Sequence, residues 1–232
     1  MLQTEINQYS ACHSPKSTAN LSGFVMTVLR YYGRNLKSPT LPQRKKQTVY
    51  IPSTEEMQSI VDYIREHKPK YFVPIMLAFM GLRRSEICAL NLSDLADDDV
   101  LTIDKAMVQN EAKQWVVKQQ TKTVDSTRTL LLPHDLAELI RKQKFIYNGH
   151  PELIYRTLTE TQDILNIPHF PLHKCRHFFA SYLHNEGYSD KQIQEMGGWK
   201  SNSVLQTVYQ HAMEIDEAKR KVADTMGKLY KL

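Results

Sequence analysis

Apolar side chains fall at helical spacing early in the chain. Leu21, Phe24, Val25, Val28, Leu29 and Tyr32 occupy i, i+3, i+4, i+7, i+8 and i+11, a single stripe. Ser14-Pro15 ahead of it reads as an N-cap with proline in the first turn, so a helix is predicted over 15–32. Residues 33–47, with Pro39, Pro42 and the run Arg44-Lys45-Lys46, read as a linker. A larger body begins at Ser53. There Ser53-Thr54-Glu55-Glu56 has the form of a capping box, and Met57, Ile60, Val61 and Ile64 supply an apolar face. Pro69 ends that helix; a second is expected over 73–80 and a short one after Leu82. Three β-like runs follow at 100–103, 114–119 and 128–132, the last two flanking the polar loop 120–127 as a hairpin with a long turn. Helical spacing then resumes over 134–147, 159–165, 174–185, 189–196, 204–211 and 216–230, with Ser189 and Gln192 as another capping box. The pattern predicts a mostly α chain with a small antiparallel β-sheet, class α+β.

Composition narrows this picture. The 232 residues are 41% hydrophobic and 24% charged, which excludes collagen-like, disordered and disulfide-scaffold classes. Cys12, Cys88 and Cys175 are odd in number and widely spaced, with no C-x-x-C, so zinc-ribbon and thioredoxin readings fail. Free thiols fit a reducing cytosol. The most apolar stretch, 71–82, contains Pro74 and is too short to span a bilayer. No signal peptide is visible around Glu5.

The net charge is +5, and its placement is informative. Residues 1–47 hold seven basic side chains against Glu5, a balance of +6, which leaves −1 for the rest. A basic arm on a near-neutral body suits a polyanion such as DNA, although it would also serve as a solubilising tail.

No G-x-S-x-G, Walker A or H-E-x-x-H occurs, and the histidines show no ligand spacing with the cysteines. What remains is a dispersed cationic set. In Gly81-Leu82-Arg83-Arg84-Ser85-Glu86, an arginine at a helix start can present a planar fork to a phosphate while a carboxylate three residues on holds it. In His173-Lys174-Cys175-Arg176-His177, His173 and Arg176 share a helix face. Gly197-Gly198-Trp199 is followed ten residues later by Tyr209. Taken singly, each also reads as a surface ion pair, an incidental pair or a core aromatic.

In this order and spacing, G-L-R-x-S-E, H-x-x-R-H, G-W and a following tyrosine resemble the tyrosine recombinase (phage integrase) family over roughly 50–211. The resemblance implies that family's catalytic-domain fold, with Arg83, Lys122, His173, Arg176 and Trp199 around a Tyr209 nucleophile. Lys122 is chosen because Gln120 to Arg128 looks similar to the family's lysine-bearing β-hairpin turn; Lys118 and Lys113 are rivals. Two departures stand out: Lys174-Cys175 replaces the Asp-Leu of many relatives, and Trp199 stands where histidine is common.

The implied organisation is a partial core-binding-domain helix and basic linker at 1–47, a catalytic domain at 48–212, and a helical tail at 213–232 that docks on a neighbouring protomer. Arg44, Lys45 and Lys46 would cross the duplex. Because 1–47 cannot hold a complete core-binding domain, a fragment or truncated form is expected, with weak and salt-sensitive DNA binding. The implied activity is site-specific integration or excision of a phage or other mobile element. DNA is cleaved and rejoined through a 3′-phosphotyrosine, as in type IB topoisomerases, without metal or cofactor. Implied partners are double-stranded attachment sites, protomers in a tetramer, and DNA-bending or directionality factors, in the cytoplasm of a bacterial host. The alternative is a recombinase-derived DNA-binding protein with little or no cleavage activity.

Overall fold

A computed structural model of the chain describes residues 2–43, 50, 52–119, 127–199 and 201. The expected helices over 204–211 and 216–230 lie outside them, as do Lys122, Tyr209, Arg44, Lys45 and Lys46. The chain divides into two compact units, Met1–Val49 and Tyr50–Leu232. No described helix is long and apolar enough to cross a membrane.

The smaller unit holds α1 (Leu2–Cys12) and α2 (Pro15–Tyr31). Helix α2 begins as the sequence suggests, with the Ser14 hydroxyl accepting from the Ser17 amide at 3.1 Å. Helix α1 was not expected, because Ile6 is its one buried side chain and so it shows no apolar stripe. Gln3 anchors it to the extended segment that follows α2: its side-chain amide donates to the Thr40 carbonyl and accepts from the Thr40 amide.

The larger unit is mostly helical. It contains α3 (Thr54–His67), α4 (Phe72–Phe79), α5 (Arg84–Ile87), α6 (His134–Gln143), α7 (Pro151–Leu165), α8 (His173–Asn185) and α9 (Asp190–Gly197). Among the described residues, four strands lie between α5 and α6: β1 (Val100–Ile103), β2 (Lys105–Gln109), β3 (Trp115–Gln119) and β4 (Arg128–Leu131). The expected class, mostly α with small antiparallel β structure, is what forms. Both capping boxes are present, Ser53 with Glu56 and Ser189 with Gln192. The core gathers the predicted α3 stripe (Met57, Ile60, Ile64) with Ile75 and Leu77 of α4, Leu101 and Ile103 of β1, Ile140 of α6, and Ile154 and Leu158 of α7. Burying each aliphatic side chain contributes about 1.5–3 kcal/mol.

The strand pairing corrects the sequence reading. Strand β3 does not pair with β4 across the loop 120–127; it pairs with β2, and β4 pairs with β1, giving two antiparallel two-stranded ladders. The β2–β3 turn is closed by Asn110, whose side-chain oxygen accepts from the Gln114 amide, with Lys113 in the left-handed conformation. Strand β2 escaped notice because Lys105-Ala106-Met107-Val108-Gln109 lacks clean alternation, its burial being partial at most positions. Two helix bounds also differ. Left-handed Lys144 stops α6 short of residue 147, and α7 begins at Pro151 rather than 159, with His150 accepting from the Glu152 amide as the cap.

Candidate active site

Helices α5, α8 and α9 converge on one corner of the larger unit. Gly81 carries φ +90°, and a Cβ there would lie 2.7 Å from the Phe179 ring, so glycine alone suits this turn. The turn delivers Arg83 to the N-terminus of α5. Its backbone amide donates to Glu86 Oε2 (2.8 Å), its Nη1 donates to Glu86 Oε1 (2.6 Å), and its Nη2 donates to the Gly198 carbonyl (3.0 Å). The arginine side chain nevertheless stays 43% exposed, whereas Glu86 is wholly buried.

Helix α8 supplies the second piece. His173 and Arg176 lie in its first turn, one open to solvent and the other 2% exposed. Arg176 Nη1 donates to the Gly81 carbonyl, which ties α8 to the turn carrying Arg83. The Arg176 guanidinium lies 3.8 Å from the centre of the Trp199 ring, a cation–π stack in a desolvated setting. Its Nη2 is buried and has no hydrogen-bond partner among the described residues. The Trp199 ring itself packs with Ala180 and Ile193 in a small satellite cluster. It reaches that place through Gly198, which is left-handed (φ +66°) and ends α9.

One carboxylate thus stands among three guanidiniums: Arg83, Arg176 and Arg128, the last donating from Nη1 and Nη2 to the two Glu86 oxygens at 3.1 and 2.8 Å. Burial alone would raise the Glu86 pKa. The hydrogen bonds and charge of Arg128, with those of Arg83, outweigh it and hold the carboxyl at about 2. Burial and the charges of Arg83 and Arg128 push Arg176 down to about 9, so it remains a cation at neutral pH. Partial desolvation, then the Arg176, Lys174 and Arg83 charges, lower His173 from its ordinary value, which favours the neutral imidazole. Among the described residues, the corner keeps a cationic surplus and an imidazole that can accept a proton. Arg83 and His173 line an open cleft of about 570 Å³, together with Ser85, Leu172 and Tyr155.

Of the residues singled out from the sequence, Arg83, His173, Arg176 and Trp199 come together here. The rival lysines sit on the β2–β3 hairpin, Lys113 in its turn and Lys118 on β3, both exposed. Arg128 was missed, although a signal existed. In Arg128-Thr129-Leu130-Leu131 the buried positions alternate, which places the arginine on the same inward side as Leu130. An inward cation requires an inward anion, and Glu86 sits in the otherwise apolar run that continues Ile87-Cys88-Ala89-Leu90.

Comparison with known proteins identifies the family and the fold. The XerC-like tyrosine recombinase of Caldanaerobacter subterraneus is 23% identical, over 96% of this chain and 68% of its own length. A tyrosine recombinase of Pseudothermotoga lettingae is 24% identical, over 77% of this chain and 61% of its own length. The chain thus spans between about three-fifths and two-thirds of these relatives. Among solved structures, the Tn1549 transposon integrase in complex with circular intermediate DNA superposes with a TM-score of 0.77 at 17% identity, covering 96% of this chain and 84% of that one. A lambda integrase dimer bound to a core site gives 0.60 at 15% identity, covering 90% of this chain and 63% of that one. Residues 53–214 match the phage integrase family. The chain therefore belongs to the phage integrase family, and its larger unit is a tyrosine recombinase catalytic domain.

Proposed function

We propose that the protein is a site-specific DNA recombinase that breaks and rejoins strands through a tyrosine–phosphate ester. The observation that carries this reading is the convergence of Arg83, Arg176, His173 and Trp199 on one corner, beside an open cleft that Arg83 and His173 line, with a cationic surplus around buried Glu86 among the described residues. Attack on a phosphodiester adds negative charge to the non-bridging oxygens. Arg83 and Arg176 are cations at neutral pH and neutralise it. Tyr209 acts as nucleophile: its oxygen bonds to phosphorus, the bond to the 5′-oxygen breaks, and the departing oxygen keeps the electron pair. Neutral His173 accepts the tyrosine proton, and Lys122 protonates the leaving oxygen as general acid. The resulting 3′-phosphotyrosine retains an ester that another 5′-hydroxyl can attack in reverse, so strands rejoin without an external energy source. Trp199 braces Arg176 through its ring face.

On this reading the basic segment Arg44-Lys45-Lys46 tracks the phosphate backbone, and affinity falls steeply with salt. The reaction would serve integration or excision of a phage or other mobile element in a bacterial host cytoplasm. Four protomers would assemble on two attachment sites, with bending or directionality factors as helpers.

The test uses a library of nicked duplexes bearing a randomised segment, from which the 5′-terminal fragment is lost on cleavage so that religation fails. A covalent protein–DNA adduct on denaturing gels is expected, and sequencing the trapped DNA gives the site. Tyr209→Phe should abolish the adduct. Persistence in that variant removes Tyr209 as nucleophile, and no adduct from the unmodified protein refutes the cleavage reading in favour of a DNA-binding protein without chemistry.

A further inference from the structure

We infer that Arg128 is a positioning residue, which holds Arg83, on the cleft wall, and Trp199, against Arg176, in fixed register through Glu86 and the Met196 carbonyl. The inference rests on the strand-cleavage reading above and deepens it.

The geometry is a closed ring. Arg128 opens β4, is 9% exposed, and does not line the cleft. Nη1 and Nη2 grip both Glu86 oxygens, while Nε donates to the Met196 carbonyl at 3.0 Å. Met196 belongs to the last turn of α9, and the chain then turns at Gly198. A Cβ on Gly198 would lie 2.9 Å from Arg128 Nη1, so the turn is moulded over the guanidinium. The Gly198 carbonyl receives Arg83 Nη2, and Arg83 Nη1 returns to Glu86. The ring thus runs from Arg128 to Glu86, to Arg83, to Gly198, and back along the chain to Met196.

Two of its links orient groups of the corner. Glu86 sets the Arg83 fork, and the turn after Met196 sets Trp199, on which Arg176 stacks. Among the described residues, the charged groups facing Glu86 are Arg83 from the start of α5, Arg128 from β4 and, by its field, Arg176 from α8. Without Arg128, each Glu86 oxygen loses one of its donors, and the buried carboxylate loses a counter-charge more buried than Arg83, keeping the Arg83 amide on Oε2 and the Arg83 guanidinium on Oε1. Arg83 is then the nearest cation and is drawn inward, away from the cleft. Lysine cannot substitute fully, since a point charge with flexible donors does not span two carboxylate oxygens and a carbonyl at once.

The test compares the 232-residue chain with Arg128→Lys, Arg128→Met and the double variant Arg128→Met/Glu86→Gln, each also carrying Trp115→Phe so that Trp199 is the sole indole. The first readout is single-turnover adduct formation on the trapped duplex, against non-covalent affinity for the same DNA. Arg128→Met should slow adduct formation at saturating DNA by about a hundredfold, the scale of a small misplacement of reacting groups, with affinity changed less than about threefold. Arg128→Lys should recover part of that loss, and the double variant should be no slower than Arg128→Met. A structural role alone would lower the active fraction without changing the rate per active molecule.

The second readout is the acid titration of Trp199 emission. Its midpoint should rise by about one pH unit or more in Arg128→Lys, as a Glu86 with weaker partners protonates nearer neutrality. If Arg128→Met does not fold, Arg128→Lys decides by both readouts. Wild-type rates and an unmoved midpoint in Arg128→Lys would overturn the inference. An unmodified protein that forms no adduct refutes the cleavage reading, and the emission midpoint then decides this inference by itself.

Discussion

Where α3 meets α7, Ile60 and Ile64 face an interior shared with Ile154 and Leu158, and all four are fully buried. Where α5 meets β4, the buried groups are a carboxylate and a guanidinium, Glu86 and Arg128, with Arg83 and Arg176 beside them. The apolar contact is non-directional and tolerates rearrangement, because its energy follows area. The polar corner is directional, since each donor must meet its acceptor and a lost partner leaves a charge stranded in low dielectric. Removing an aliphatic side chain should therefore weaken the whole unit but spare its chemistry, whereas removing a cation should strike chemistry first.

The largest effect expected is on Arg176→Ala. Adduct formation should fall about a thousandfold, as for loss of a main transition-state charge partner. A rate within tenfold of the unmodified protein in single-turnover kinetics would take Arg176 out of the site. Ile154→Ala is the contrasting case. Chemical denaturation should show a loss of about 3 kcal/mol from the cavity left behind, while the rate per folded molecule stays put. A lower rate per folded molecule would mean that the two regions are not separable.

Acid sharpens the same contrast. The Glu86 carboxyl is held at about 2 in the folded chain against an ordinary 4.5. A folded-state value below the unfolded one gives stability that is complete above 4.5 and lost as the pH falls toward 2. The loss is on the order of 3 kcal/mol. Denaturation curves should lose that component of their pH dependence in Glu86→Gln, and an unchanged slope between pH 4.5 and 2 would contradict the assignment. The smallest effect belongs to Arg84→Ala. The Arg84–Glu152 pair is short, 2.8 Å, but both side chains are substantially exposed, so the loss should stay under about 1 kcal/mol. A larger loss would show that the cleft wall depends on it.

Legibility in the sequence follows the same division. The α3 stripe and both capping boxes are local patterns of three or four residues, and each formed as read. Arg83 and Glu86 are three apart and could be paired on the page; Arg128 lies 42 residues from Glu86, and only the fold brings it there. Strand pairing fails for a similar reason. The loop 120–127 invites a hairpin, yet the partner of β4 is β1 because Leu101 and Ile103 bring an inward face that matches Leu130. Helix α1, with one buried side chain, offered no periodicity to detect. His173, Arg176 and Trp199 were found by motif order, and the stacking of Arg176 on Trp199 was not contained in that order.

The second terminal nitrogen of Arg176, buried and unmatched among the described residues, bears on how the protein is best handled. A polar hydrogen that gives up hydration without a new acceptor raises the free energy of the native state by about 1–3 kcal/mol. Any small tetrahedral oxyanion that reaches it binds the folded form alone and so raises the melting temperature by mass action. Sulfate or phosphate buffers should therefore keep purified material intact longer than chloride of equal ionic strength.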